Sequence, residues 1–385
     1  MDDAGRFPIV YQESFKTIER AVFVKKRIIV LVSNDLTFDR RVEKTCDLWT
    51  NKGWQLSLVG VLKEHSIALD RGYRTKRLRT FFEKGAGFYV VLQVKLFFYL
   101  MFHSADVIWA NDLDTLLPAR IVGKLKGIPV IYDSHELFTE AEGLTGRPIV
   151  KGVWKLVERI CFPGLNRVVT VNDSIAAIFM KRYKNDVQVI RNVPVGNREA
   201  IQPLDDVLPE GKKIILQGAY IDPDRGGEEL VEAMRFIPSV HLIVVGSGRA
   251  IPAMKSSAGD SVIFFDRMPH DKLRSITAAC DLGLSLDKPT HDNYKYSLPN
   301  KLFDYWQAGI PVLASPMIEV EKLILKYEAG QILRSWSPRE IATQIEEILN
   351  SEHYTVWKKN TRLAAEENTW EKEVTTIEKW IDELS

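Results

Sequence analysis

Residues 27–61 read RIIVLVSNDLTFDRRVEKTCDLWTNKGWQLSLVGV. Arg27 to Val32 is an apolar, β-branched run without polar alternation, as in a strand buried on both faces. FDRRVEKTCDLWTNKG has helix length and closes on Gly53, a residue suited to the left-handed turn that ends a helix. QLSLVGV reads as the next strand. Strand, helix and strand at this spacing predict a βαβ unit, the building block of a doubly wound parallel sheet.

The same alternation continues outward. DVIWA, PVIYD, RVVTV and VQVI read as further strands separated by helical or loop sequence. It breaks at RNVPVGNREAIQPLDDVLPEGKK, where Pro194, Gly196, Pro203, Pro209 and Gly211 interrupt regular structure and Asp205, Asp206 and Glu210 solvate the chain. It then restarts with KIILQ, HLIVVG, VIFF, LGLSL and PVLAS. The chain therefore divides into an extension of unassigned structure (1–26), a first Rossmann-like domain (27–198), a second (199–367) and a final amphipathic helix (368–385). In that last helix Asn368 three residues before Glu371 reads as a capping pair, and Trp370 and Trp380 as anchors.

Whole-chain properties narrow the function. The 385 residues exceed one ordinary core. A formal net charge of +1 argues against a nucleic-acid binder held by bulk charge. Cys46, Cys161 and Cys280 form no disulfide or metal framework and suit a reducing cytoplasm. The apolar run from Phe88 to His103 is shorter than the roughly 20 residues of a membrane span and carries Gln93 and Lys95. It reads first as a buried helix and second as a helix lying in a membrane interface.

Ligands of open αβ sheets bind beyond the carboxyl ends of the strands. There the sequence places Asn34 and Asp35 with Asp39 and Arg40, Asn111 and Asp112 with Asp114, His135 and Glu136, Gly218 with the DPDRGG segment, and the long loop DKPTHDNYKYSLPNK. In SLPNKLFDYWQAG, Ser297 reads as a helix N-cap and Pro299 as a first-turn residue. A helix start with Lys301 beside it suits a diphosphate, and Asp304 one turn on suits vicinal hydroxyls.

Taken together, NDLTFDRRVEKTCDLW, ANDLDTLLPARIVGKLKGIPVIYDSHELFTE, VTVNDSIAAIF, LPNKLFDYWQAGIPVLAS and the terminal TWEKEV resemble the retaining GT-B glycosyltransferases of family 4, also called glycosyl transferases group 1. The resemblance runs from about Arg27 to the final helix. It implies two Rossmann-like domains facing a cleft, with the last helix crossing back onto the first domain. It also implies transfer of a sugar from a nucleotide-diphospho-sugar to an acceptor hydroxyl, without cofactor or metal, in surface polysaccharide or glycolipid synthesis.

On the donor side it implies Gly218, Arg225, Arg267, Pro299, Asn300, Lys301 and Asp304. Arg225 and Lys301 would hold the leaving diphosphate, and His135 would face the transferred sugar. The acceptor or sugar side takes Asn34, Asp35, Asp39, Arg40, Asn111, Asp112 and Glu136. Two positions depart from the family: Tyr296 stands where it keeps its first Glu, and Ala219 where it keeps an Arg. The expected partners are the donor and a glycan or lipid-linked acceptor, with peripheral membrane contact through 88–103 at the inner face of the plasma membrane. Two rivals are a sugar-nucleotide epimerase of the same form, for which the sequence shows no acidic pair facing His135, and a non-catalytic nucleotide-sugar binder.

Overall fold

The computed structural model describes residues 25–385 except 38, 65, 197–200 and 205–206. The extension assigned to 1–26 lies almost wholly outside the described residues. The first sheet contains β1 (Arg27–Leu31), β2 (Gln55–Leu62), β3 (Arg74–Arg79), β4 (Val107–Asn111), β5 (Val130–Ser134), β6 (Arg167–Thr170) and β7 (Gln188–Val189). Its order is β3-β2-β1-β4-β5-β6-β7, and all pairings are parallel. β3, with the sequence RTKRLR, was not anticipated. It is an edge strand, where charge replaces the apolar signature and discourages pairing with another chain.

Helices α1 (Arg40–Asn51), α2 (Gly85–Phe102), α3 (Leu113–Lys126), α4 (Pro148–Cys161) and α5 (Asp173–Tyr183) connect these strands. The unbroken apolar run of β1 serves two layers. Ile29 and Leu31 face α2, α3, α4 and α5, while Ile28 and Val30 face α1 and the chain's end.

The second sheet has β8 (Lys212–Tyr220), β9 (Val240–Ser247), β10 (Val262–Phe265), β11 (Leu282–Ser285), β12 (Val312–Ala314) and β13 (Gly330–Ile332). Its order is β10-β9-β8-β11-β12-β13, again parallel. Helices α6 (Gly227–Ala233), α7 (Ile251–Ser257), α8 (His270–Ala278), α9 (Asp292–Lys295), α10 (Lys301–Gln307), α11 (Ile318–Tyr327), α12 (Pro338–Leu349) and α13 (Tyr354–Glu367) accompany it.

The chain ends in two short helices, α14 (Trp370–Glu373) and α15 (Thr375–Leu384). Trp370, Ile377, Trp380 and Ile381 pack into the core of the first sheet. The expected capping pair does not form. Asn368 bonds to Ala364 O and accepts from Arg191, while Glu371 accepts from the backbone N–H of Gly196. Both side chains tie the crossover between the domains instead.

Candidate active site

The first domain presents the ends of β4 and β5. Asp112 begins α3 with φ of 58°, and its carboxylate accepts from the backbone N–H of His135 at 2.8 Å. The His135 ring lies between two carboxylates, with Nδ1 3.5 Å from Asp112 Oδ2 and Nε2 3.5 Å from Asp133 Oδ2. Burial alone would lower its pKa, but the charges of Asp112 and Asp133 outweigh that and raise it to about 9. The two carboxylates thus favour the protonated ring.

Asp133 is held from behind. Arg41 donates to it through Nε at 3.1 Å and Nη2 at 2.7 Å, and through Nη1 to Ile190 O at 2.6 Å. Burial would raise this carboxyl, yet Arg41 and His135 bring it down to about 2. Arg41, in the first turn of α1, is fully buried. The missing acidic pair facing His135 is corrected, since Asp112 and Asp133 both do so.

The second domain converges on Asp287, at the end of β11. Arg225 Nη1 reaches Asp287 Oδ1 at 3.0 Å, and Lys301 Nζ reaches Oδ2 at 3.2 Å. The Arg225 guanidinium also sits 4.5 Å from the ring centre of Tyr294. Burial would raise the Asp287 carboxyl, but the two cations bring it below the ordinary carboxylate range. Burial lowers the Lys301 pKa despite Asp287. Two cations on one buried anion leave a net positive site that is rigidly placed. Asp287 was not singled out in the sequence, although it opens the loop after LGLSL.

Asp304 lies in α10 and is nearly buried. It is 3.7 Å from Arg40 Nη1, 3.6 Å from His270 Nε2 and 3.5 Å from Gln217 Nε2. Arg40, assigned to the acceptor side, thus reaches across from the first domain to Asp304 of the second. His270 and Gln217 were missed because they lie on separate elements with no local motif.

Asn293 is a further bridge. It donates to Glu136 Oε2 at 2.7 Å and accepts from the Leu137 N–H at 3.0 Å, joining α9 to the first domain. Burial, and then the charge of Asp112, raise Glu136 to about 7.

Asn111 is buried and donates to Leu31 O, which ties it to its strand. Asp39 caps α1 by accepting from the Val42 N–H, and Asn34 donates to Asp39 while accepting from the Leu36 N–H. Asp35 bonds to Thr37 through both backbone and side chain. These three residues shape their own loop. Ser297 is not an N-cap: Asn300 holds that position without a side-chain bond, and α10 is only seven residues long. The charge of Lys301, more than a helix dipole, then favours an anion. Pro299 and Asn300 form the approach to α10, with Asn300 exposed. Arg267 lies at the rim, 5.0 Å from the Tyr220 ring centre. Tyr296 packs against the first domain's core, and its carbonyl accepts from Asn172. An acid there would sit against apolar groups.

Gly218 differs from its neighbours. A Cβ there would meet Ile221 no closer than 3.4 Å, an ordinary contact, whereas one at Gly246 would come within 2.0 Å of Gly218 O. The fold demands Gly246 but not Gly218. Gly218→Ala is expected to unfold at the wild-type temperature while losing most of the thermal shift given by nucleoside diphosphates. An intact shift removes Gly218 from the donor site.

The family described as Glycosyltransferase Family 4 matches residues 40–193. Glycosyl transferases group 1 matches residues 211–351. The chain belongs to the group 1 glycosyltransferases of GT-B fold. It is 23% identical over 364 residues to the chitobiosyldiphosphodolichol beta-mannosyltransferase of Candida glabrata, covering 80% of each chain. Sucrose-phosphate synthase from Thermosynechococcus elongatus superposes with a TM-score of 0.72 at 17% identity, over 94% of this chain and 99% of that one. HepE of Anabaena in complex with UDP-glucose gives 0.69 at 16% identity, over 93% and 98%. This glycosyltransferase shares with these solved structures two parallel sheets and their interleaved helices.

Proposed function

We propose that this glycosyltransferase moves a hexosyl group from a nucleotide-diphospho-sugar to the hydroxyl of a glycolipid or surface-polysaccharide precursor, with retention at the anomeric carbon. The observation that carries the donor assignment is the convergence of Arg225 and Lys301 on Asp287 at the strand ends of the second domain. The two cations neutralise the departing diphosphate, acting on charge that develops as the bond breaks. Gly218 lets that group approach the backbone, Asp304 takes the ribose hydroxyls, and Arg267 borders the base. The imidazolium of His135 donates to the transferred sugar, with Glu136 beside it. Positive charge from the chain serves where other enzymes use a metal, and no cofactor takes part.

In the reaction the bond from the anomeric carbon to the phosphate oxygen breaks. The acceptor oxygen bonds to the same face of that carbon, and its proton passes to the leaving phosphate oxygen. The lipid-linked acceptor is supported by the dolichol-linked substrate in the name of the Candida relative. In this reading the enzyme works in the cytoplasm at the inner face of the plasma membrane and touches it through 88–103. The departures at Tyr296 and Ala219 leave Arg225 and Lys301 as the phosphate cations and move sugar recognition toward His135.

Retention is tested without knowing the acceptor. Slow donor hydrolysis is followed by proton NMR on UDP-, GDP- and ADP-linked hexoses of α configuration. The α sugar is expected to appear first and then to mutarotate. The β sugar appearing first contradicts retention.

A further inference from the structure

We infer that α2, α3 and α4 together form a docking face for an anionic lipid bilayer. The inference extends the membrane contact proposed above from one helix to three, and it rests on that contact. In α2, Phe88, Leu92, Leu96 and Leu100 are buried in the domain core. This helix is therefore anchored to the protein along one side and does not span a membrane, although its length and hydropathy would allow it. Its other side carries Val90, Val94, Phe98 and Phe102, all exposed, Phe102 at 80%.

α4 repeats the design. Ile149, Val153, Leu156 and Ile160 recur at helical spacing and are all exposed, Ile149 at 83%. α3 packs against both helices and adds exposed Ile121 and Leu125 between them. α2, α3 and α4 join the same core on the same face of the sheet, so their outward sides form one tract. An apolar tract of this extent is unusual on a soluble surface and marks an interaction site.

Charge decides the occupant. The acids within α2, α3 and α4 are Asp114 and Glu158, and both are buried. The charges they expose are basic, led by Lys124, Lys126, Lys155 and Arg159. Apolar side chains framed by lysine and arginine match the acyl boundary and headgroups of an anionic leaflet. A second copy of the chain would bring the same basic rim against itself.

The face is also coupled to the cleft. Trp154 of α4 makes edge contacts with Tyr89 of α2 and with Phe138, each at 5.0 Å between ring centres. Phe138 lies three residues after His135. A bilayer on this face thus adjoins the segment that carries the first domain's cleft residues, which suits an acceptor whose sugar enters the cleft while its lipid stays in the leaflet.

The test is flotation of the full chain with phosphatidylcholine vesicles, with and without phosphatidylglycerol. Binding is expected with phosphatidylglycerol and to weaken as salt rises. Val153→Ser with Leu156→Ser, and separately Lys155→Ala with Arg159→Ala, should each weaken it about tenfold or more. Both variants keep α2 intact, and circular dichroism and the nucleotide-induced thermal shift verify their fold. Wild-type binding by the α4 variants overturns the inference by leaving the contact to α2 alone. So does absence of vesicle binding, with or without a concentration-dependent dimer in sedimentation velocity. Donor hydrolysis in vesicle-free solution reports on the glycosyltransferase reading by itself, so the two failures are distinguishable.

Discussion

Lys301→Ala is expected to lower sugar transfer and donor hydrolysis by about 10²–10³-fold, the usual effect of removing one preorganised donor aimed at developing charge. Its Nζ is placed 3.2 Å from Asp287, which is buried and shared with Arg225. No reorganisation is then needed when the diphosphate leaves, which makes the charge effective. After the substitution Asp287 keeps Arg225, so the loop after β11 retains an ion pair. Activity should therefore fall far more than folding. Arg225→Lys should lose activity as well, because a point charge replaces a planar fork stacked on Tyr294. Steady-state kinetics and a melting curve on each variant check this. Unchanged turnover in folded Lys301→Ala removes the lysine from the phosphate site.

Arg41→Ala is expected to be the most destabilising single change among the cleft residues. It would strip a fully buried carboxylate of its fork-shaped partner and leave Ile190 O without that donor. Breaking one side of a buried ion pair costs about 3–5 kcal/mol. The pH dependence gives a second check. Asp133 is lowered to about 2 from the ordinary value near 3.8. A depressed carboxyl stabilises the fold above its unfolded pKa, and that contribution disappears as pH falls through the folded value. The wild type's contribution from Asp133 should thus be full at neutral pH and be lost as pH drops from about 4 toward 2, so its stability gap over Arg41→Ala narrows in acid. Denaturant unfolding at several pH values measures it, and a gap that is absent at neutral pH contradicts the buried pair.

The doubly wound form was legible because strands buried on both faces carry no alternation, as β1 shows. β3 escaped because an edge strand is permitted to be basic. In the site, Arg225, Lys301, Asp304 and His135 were legible through position, each following a strand end or opening a helix. Asp287, Asn293 and His270 were not, because their roles come from partners on other elements: Asp287 from Arg225 and Lys301, Asn293 from Glu136 and Leu137, His270 from Asp304. Asn34, Asp35, Asp39 and Asn111 show another use of such positions, each bonding within its own loop or to a neighbouring strand. Polar residues at strand ends satisfy their own loop and backbone before they serve a ligand, and spacing alone does not separate the two uses.

Calorimetric titration of UDP, GDP and ADP, each beside its nucleoside, into wild type, Lys301→Ala and Arg225→Ala tests the donor site most directly. At least one diphosphate should bind wild type, and both variants should bind it about tenfold or more weakly, with the matching nucleoside affected little. Equal loss for nucleoside and diphosphate, or diphosphate binding that ignores both substitutions, would contradict a diphosphate held by Arg225 and Lys301.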